Sequence, residues 1–303
     1  MIDFIDLFAG IGGFRYGLES ISLPRCSPQE EIPERQGLQV GRSLHSGWDE
    51  HPGYCCVWSN EWDRYANSVY KRHYQECDPR DVRTIKTNEI PDHQLLCAGF
   101  PCQSFSVAGK RRGFNETRGT LFFEIARILS DKRPEYLLLE NVKGLLSHDA
   151  GETIQVMFRV LTDLGYDCEW QVLNSKDFAI PQNRERVFII GHLRTEPVPK
   201  VLPITPDDRQ VIEVWNKVGQ ERRDSGDVES QNGRSTERRK VSIRRFTPLE
   251  TERLQGFPDN WTQFGVQGEL ISDTQRYRMT GNAVTTSIIK VIGEKLWERL
   301  NRQ

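Results

Sequence analysis

Cys102 lies in Gly99-Phe100-Pro101-Cys102-Gln103-Ser104-Phe105-Ser106, directly after the apolar run Leu95-Leu96-Cys97-Ala98. That run reads as a buried strand, which places a thiol at a strand's carboxyl end, where open α/β sheets keep their ligands. Pro101 fixes one backbone angle and removes a donor, a setting that suits a nucleophile held rigidly at a turn. The same residues also fit a small buried Cys beside a proline turn, because free Cys is among the most buried residue types. Glu140 brings an acidic group to the end of another apolar run, Tyr136-Leu137-Leu138-Leu139. Arg184 and Arg186 follow Pro181-Gln182-Asn183 and precede the run Val187-Phe188-Ile189-Ile190-Gly191; either Arg alone also fits a surface ion pair.

The elements that must position these groups begin at the first residues. Ile2-Asp3-Phe4-Ile5-Asp6-Leu7-Phe8 reads as a buried strand, and Ala9-Gly10-Ile11-Gly12-Gly13-Phe14-Arg15 turns it into a helix. Strand, glycine turn and helix make a cofactor-binding start, but Arg15 stands where a dinucleotide fingerprint requires its last Gly, so a nicotinamide cofactor loses support. Cys55 to Asn60 predicts a second strand, and a helix is expected from about Trp62 to Tyr74. Glu61, between them, stands where such a fold grips a ribose diol, or is a solvated residue at a helix start. Asp81-Val82 is expected where a third strand would end, ahead of the Pro91 turn.

Beyond Cys102, residues 107–119 form a basic, glycine-containing loop of the kind that closes over active sites. Helices are expected over 120–129 and 152–164, and strands over 136–139, 169–173 and 187–191. The alternation predicts an α/β fold, a doubly wound, mostly parallel sheet with helices on both faces. Residues 1–191 are the expected catalytic domain, with 21–52 a Pro- and Ser-containing surface insertion. Residues 192–243 are expected to be a short, partly disordered recognition region or linker, since 219–240 holds Val228 as its one aliphatic residue. In 244–303, Thr247 caps a short helix that has Pro248 at its first position and stops at Gly256, and Gly281-Asn282-Ala283-Val284 opens a last helix that packs back on the sheet.

Composition excludes several classes. With 37% hydrophobic and 28% charged residues, a net charge of −2 and no apolar run near the ~18 residues of a membrane span, the chain reads as a cytoplasmic protein that spans no membrane. No secretory signal is expected at the start. The seven Cys lack zinc spacing, so neither a disulfide framework nor a metal is expected. Basic clusters such as Lys110-Arg111-Arg112 and Arg238-Arg239-Lys240 are candidate nucleic-acid contacts in a nearly neutral chain.

Asp6-Leu7-Phe8-Ala9-Gly10-Ile11-Gly12-Gly13-Phe14-Arg15, the segment 99–106, Glu140-Asn141-Val142, Gln182-Asn183-Arg184-Glu185-Arg186, Arg253-Leu254-Gln255-Gly256-Phe257-Pro258 and Gly281-Asn282-Ala283-Val284 stand in one order. In that order the chain resembles the DNA cytosine-C5 methyltransferases, most closely those of bacterial restriction-modification systems. The resemblance implies a Rossmann-like, S-adenosylmethionine-dependent methyltransferase fold with a small, partly irregular target-recognition region. It implies Cys102 as the nucleophile, Glu140 as the group that protonates or hydrogen-bonds cytosine N3, and Arg184 with Arg186 as the pair that orients the base and favours a thiolate. It places Phe8, Gly10, Gly12 and Gly13 along the methyl donor S-adenosylmethionine, Glu61 on its ribose, Trp62 and Val82 against its adenine, and Asp81 at the exocyclic amine, with Leu121 and Asn282 completing the pocket. Gln103, Ser104, Ser106, Lys110, Arg111 and Arg112 become contacts to double-stranded DNA. A cognate restriction endonuclease would be a genetic rather than a physical partner.

The chain departs from the family in the interval between Arg186 and Arg253, which is short for a recognition region. That interval is a minimal recognition region, one completed by folding on DNA, or one whose role another chain supplies. A tRNA cytosine-C5 methyltransferase and an inactive DNA-binding relative are the rival readings.

Overall fold

Ile2–Leu7 (β1) is an inner strand because both of its faces can be buried: Phe4 joins one apolar cluster, Ile5 and Leu7 another, and all three are inaccessible to solvent. The remaining strands are Tyr54–Asn60 (β2), Leu95–Gly99 (β3), Tyr136–Val142 (β4), Tyr166–Asn174 (β5) and Glu185–Leu193 (β6). In the computed structural model, which describes residues 1–21, 53–101, 121–194, 201–205 and 244–300, they form one sheet in the order β2-β1-β3-β4-β6-β5. β1 pairs in parallel with β2 and β3, and β3 with β4, whereas β6 runs antiparallel to both β4 and β5. The sheet is thus mostly parallel, with an antiparallel edge. After β1 the chain goes to β2 on one side and then to β3 on the other, so the winding reverses beside β1 and opens a ligand crevice there.

Parallel neighbours need crossover helices, and these cover both faces of the sheet. Leu121–Lys132 (α3) and Glu152–Asp163 (α4) put Phe122, Ile125, Ile128, Met157 and Leu161 against Leu96, Leu137, Leu139 and Val187. On the opposite face, Gly13–Glu19 (α1) and Thr286–Leu300 (α7) bring Phe14, Leu18, Ile288, Ile289 and Ile292 onto Phe4, Leu95, Leu138 and Phe188. Arg64–Tyr74 (α2) lies after β2 and is capped by Asp63, whose carboxylate accepts the Tyr65 and Ala66 N–H groups.

α1 and α7 meet closely: a methyl group at Gly17 would stand 2.7 Å from Ile289 Cβ and 2.9 Å from the Thr286 carbonyl oxygen. A backbone oxygen cannot rotate away, so Gly17→Ala is expected to destabilise the protein by about 1–3 kcal/mol. A lower urea midpoint with an unchanged slope would show it.

The C-terminal part adds Pro248–Arg253 (α5) and Asp273–Asn282 (α6). Thr247 caps α5 in a reciprocal pair with Glu250, Pro248 is its first residue, and Gly256 takes a left-handed φ of 79° just beyond it. α6 is polar and has no apolar stripe to betray it in the sequence. It is anchored from within by Arg276, whose Nη2 donates to Glu252 Oε1 at 2.9 Å and Nε to Thr262 Oγ1 at 3.1 Å.

The expected last helix is therefore corrected: Asn282 ends α6, and α7 begins only at Thr286. Nor does Asp81-Val82 end a third strand. Asp81 accepts the Arg83 N–H and caps a single 3-10 turn, Val82–Thr84, because its short acceptor competes with strand pairing for the backbone; the third strand is Leu95–Gly99. Of the expected insertion and recognition region, residues 22–52, 195–200 and 206–243 lie outside the described residues. Residues 201–205 run beside β5, where Glu169 accepts the Val201 and Leu202 N–H groups and Gln171 pairs with Ile204.

Candidate active site

The parallel strands β1 to β4 end on one edge, and antiparallel β6 begins there. Register does the rest: Gly99 pairs with Glu140 and Val142 with Arg186, so groups far apart in sequence share one corner. Arg186 Nε lies 3.2 Å from Glu140 Oε1, while its Nη1 donates to the Glu185 carbonyl at 2.8 Å. Glu140 is only 8% exposed. Burial raises its pKa above the ordinary carboxyl value, and Arg186 and then Arg184 pull it partly back. The result is a carboxyl group that takes a proton more readily than a surface glutamate, held at a fixed angle by a guanidinium.

Asn141, next to Glu140, is also committed. Its Nδ2 donates to the Phe100 carbonyl at 2.7 Å and its Oδ1 accepts the Val142 N–H at 2.9 Å. The strand end that leads to Pro101 is thereby tied to the strand end that carries Glu140. Cys102, Gln103, Ser104, Ser106, Lys110, Arg111 and Arg112 lie outside the described residues.

The two arginines come to the same edge but make different contacts. Arg184 reaches across to the C-terminal part, where Nη1 and Nη2 donate to the Gly281 carbonyl at 3.1 and 3.0 Å and Nη2 to the Ala283 carbonyl at 2.7 Å. Burial, with Arg186 nearby, lowers its pKa to about 10, still cationic at neutral pH. Arg184 therefore links the Glu140 corner to the backbone on either side of Asn282, and Arg186 alone of the two touches Glu140 among the described contacts.

Beside β1 the glycine turn makes the second half of the site. Phe8 carries a left-handed φ of 55°, an uncommon conformation for a bulky residue and a mark of a constrained turn. Gly12, at φ 89°, accepts what a side chain could not, since a Cβ there would lie 2.6 Å from the Tyr74 ring. Glu61, at the end of β2, bonds both ways: Oε2 accepts the Gly10 N–H at 2.8 Å and Oε1 the Asp63 N–H at 2.7 Å. Its pKa is raised by burial and held back by these backbone donors. Trp62 is 67% exposed, an indole face left open next to that carboxylate.

The other expected pocket residues are distributed as follows. Val82 is buried in the core beside α3, and its carbonyl accepts Arg127 Nη2 at 3.1 Å. Asp81 is paired with Arg83, Leu121 is half-buried at the start of α3, and Asn282 is exposed at the end of α6.

A nucleoside-bearing methyl donor fits these residues. Among the described residues a Cβ built on Gly10 would meet nothing within 4 Å; the Gly10 N–H is bonded to the Glu61 carboxylate, a group suited to a diol, and Trp62, next in sequence, exposes an aromatic ring suited to a base. Among the described residues no cluster of three or more His, Cys, Asp or Glu could hold a metal, and no helix is long and apolar enough to cross a membrane.

Sequence reasoning assigns no role to Asp6, Asn141 or Trp261. Asp6 is wholly buried on β1; burial pushes its pKa up to about 8 against the pull of the Arg15 charge and backbone N–H. Asp6 and Asn141 lie inside recognisable motifs, so position flags them without giving their partners. Trp261 carries no local signal.

A family model described as C-5 cytosine-specific DNA methylase matches residues 2–214 and 207–298. Among curated proteins, the chain is 33% identical over 342 residues to the Type II methyltransferase M.SsoII of Shigella sonnei, covering 98% of this chain and 80% of that one. It is 36% identical to the Type II methyltransferase M.NlaX of Neisseria lactamica, covering 98% and 96%. Among solved structures, the S. pombe Dnmt2 methyltransferase superposes with a TM-score of 0.64 at 21% identity over 99% of this chain and 100% of that one, a likeness of fold.

Proposed function

We propose, given that the chain belongs to the C-5 cytosine-specific DNA methylase family, that it methylates C5 of a cytosine flipped out of double-stranded DNA, with S-adenosylmethionine as the donor, as the modification enzyme of a restriction-modification system. The observation that carries the reading is the corner where Glu140, held by Arg186, faces the strand end that leads into Pro101-Cys102, on a strand paired with β1, the strand that runs into the glycine turn.

Cytosine C5 is a poor nucleophile until a thiolate adds to C6. Cys102 forms that S–C6 bond as the C5–C6 π bond breaks and its pair becomes available at C5, while Glu140 holds a proton at N3 to accept the density pushed into the ring; once C5 carries the methyl group, loss of the C5 proton to a base re-forms the C5–C6 double bond, expels the Cys102 thiolate and frees the enzyme. Arg186 keeps the Glu140 carboxyl aimed and supplies positive charge beside the base, and Arg184 braces the same corner against the turn around Asn282. When bound, S-adenosylmethionine supplies a methyl group on a sulfonium centre. Glu61 and Trp62 would hold its ribose and adenine, with Phe8, Gly10, Gly12 and Gly13 along the donor and Asp81, Val82, Leu121 and Asn282 around the pocket. Gln103, Ser104, Ser106 and Lys110 to Arg112 would contact the DNA backbone, which positions the duplex without reading it. The organisation proposed is a catalytic unit over 1–191, a short recognition region over 192–243 and a C-terminal part over 244–303, in the cytoplasm.

Expression in cells that lack cytosine methylation, followed by mapping of 5-methylcytosine across their DNA, tests this. One short methylated motif is the expected result and would name the target; unmethylated DNA from cells containing folded protein would overturn the reading.

A further inference from the structure

Trp261 has no place in the chemistry above, yet its indole reaches the donor side of the site. The residue is 8% exposed, and Nε1 donates to the Ile11 carbonyl at 2.9 Å. Ile11 is the middle of the glycine turn, flanked by Gly10 and Gly12, both with left-handed φ. The Ile11–Gly12 peptide is held on its N–H side, where Gly12 donates to the Ala9 carbonyl at 2.9 Å, and the Ile11 side chain is buried in the same apolar cluster as Trp261; its carbonyl side is held by the indole. Two side chains from distant parts of the chain bond to the backbone of the turn, each to a different peptide group. Glu61 takes the Gly10 N–H from the end of β2, and Trp261 takes the Ile11 carbonyl from the C-terminal part.

The indole is itself held against rotation. The His73 imidazole from α2 stacks on it at 3.5 Å with 4° between the planes, and His73 Nε2 lies 2.8 Å from the Trp261 carbonyl oxygen. Tyr16 packs edge-on at 5.2 Å, and Phe257 lies 5.3 Å away on a tilt. A buried indole needs a hydrogen-bond acceptor wherever it sits, and packing alone would explain the ring. Packing in one apolar cluster brings the indole to Ile11, and the acceptor its N–H takes there is the carbonyl that precedes Gly12 in the turn.

We propose that Trp261 is a positioning residue for the methyl donor, its N–H fixing the Ile11 peptide so that the turn is formed before the donor arrives. The proposal rests on the reading of the Gly10–Gly13 turn as the donor site. It makes donor affinity depend on a residue of the segment between α5 and α6, remote in sequence from every donor contact proposed above except Asn282.

Trp261→Phe keeps an aromatic ring for the His73 stack and removes the N–H. In calorimetric titration of the full chain with S-adenosylmethionine, the variant is expected to bind about threefold to tenfold more weakly, the range set by one buried hydrogen bond. KM for the donor should rise in parallel, with kcat at saturating donor within about twofold of the parent. A merely structural role would lower the melting temperature and leave donor affinity and the KM-to-kcat split unchanged, and that result would overturn the proposal.

His73→Ala, which frees the indole to turn without touching its N–H, is the second variant and should weaken donor binding in the same direction. If Trp261→Phe does not fold, parental donor affinity in folded His73→Ala overturns the proposal. Failure of the unaltered protein to bind S-adenosylmethionine would instead remove the donor reading on which it rests.

Discussion

Cys102→Ser is expected to abolish methyl transfer, by at least about a thousandfold, as losses of a catalytic nucleophile do. A serine hydroxyl is a far weaker nucleophile than a thiolate at neutral pH. The sharper readout is covalent. Duplex DNA containing the methylation motif with 5-fluorocytosine at the target carries no proton at C5 to lose, so the parent should be trapped as a complex that survives denaturing electrophoresis, and the variant should not. Titration with S-adenosylmethionine should give parental affinity in Cys102→Ser, because the thiol serves the base and not the donor. A trapped complex that persists in the variant would move the nucleophile elsewhere.

The second large effect is expected at Glu140. Glu140→Gln keeps the size of the side chain and can donate a hydrogen bond to the base but cannot hand over a proton, so the rate should fall by about 10²–10⁴. The pH dependence carries the sign. Burial raises the Glu140 pKa, and the protonated form persists to higher pH and is lost as pH rises through that raised value. With Glu140 in place the rate should therefore fall on the alkaline side of its pKa, opposing the gain as Cys102 ionises. In Glu140→Gln the falling limb should vanish while the rising limb remains. Rate profiles for the two proteins at saturating DNA and donor would show it, and an unchanged falling limb would assign the proton to another group. The variant also leaves Arg186 without the carboxylate 3.2 Å away, so its melting temperature must be measured alongside.

The same contacts indicate how the corner is kept rigid. Arg186 aims the carboxyl, Asn141 ties the Phe100 carbonyl to the neighbouring strand, and Arg184 clamps the carbonyls around Asn282. The first two of these bonds tie neighbouring strands together where they end, and the third ties the start of β6 to the C-terminal part. A site built this way tolerates loop variation around it, because its geometry is set by the sheet and by buried hydrogen bonds.

Much of this fold is legible in the residues alone. Apolar runs such as Leu95 to Ala98 and Tyr136 to Leu139 have to be buried on both faces, which demands a parallel sheet with helices on either side, and the glycine turn after Ile2–Leu7 has to be a close-approach site. Thr247 and Pro248 announce α5 because capping is local chemistry, read over four residues. α6 escapes notice because it is polar and its buried Arg276 pairs with Glu252, 24 residues away, which no periodicity reports. Asp81-Val82 misleads because a capping aspartate and a strand end look alike when the partner N–H is not in view.

For the site, the sequence by itself determined the chemical groups, their order, and the family to which they belong: a thiol after a proline, a carboxyl at a strand end, a guanidinium pair before another strand. Those are properties of short segments, and short segments carry their own geometry. Only the tertiary structure decided what each group holds. The antiparallel entry of β6 beside β4 gives Glu140 to Arg186 and sends Arg184 to Gly281 and Ala283. The folding back of the C-terminal part gives the Ile11 carbonyl to Trp261, 250 residues away. Such pairings follow from strand register and from the direction in which buried donors must find acceptors, and both are fixed only when distant segments pack.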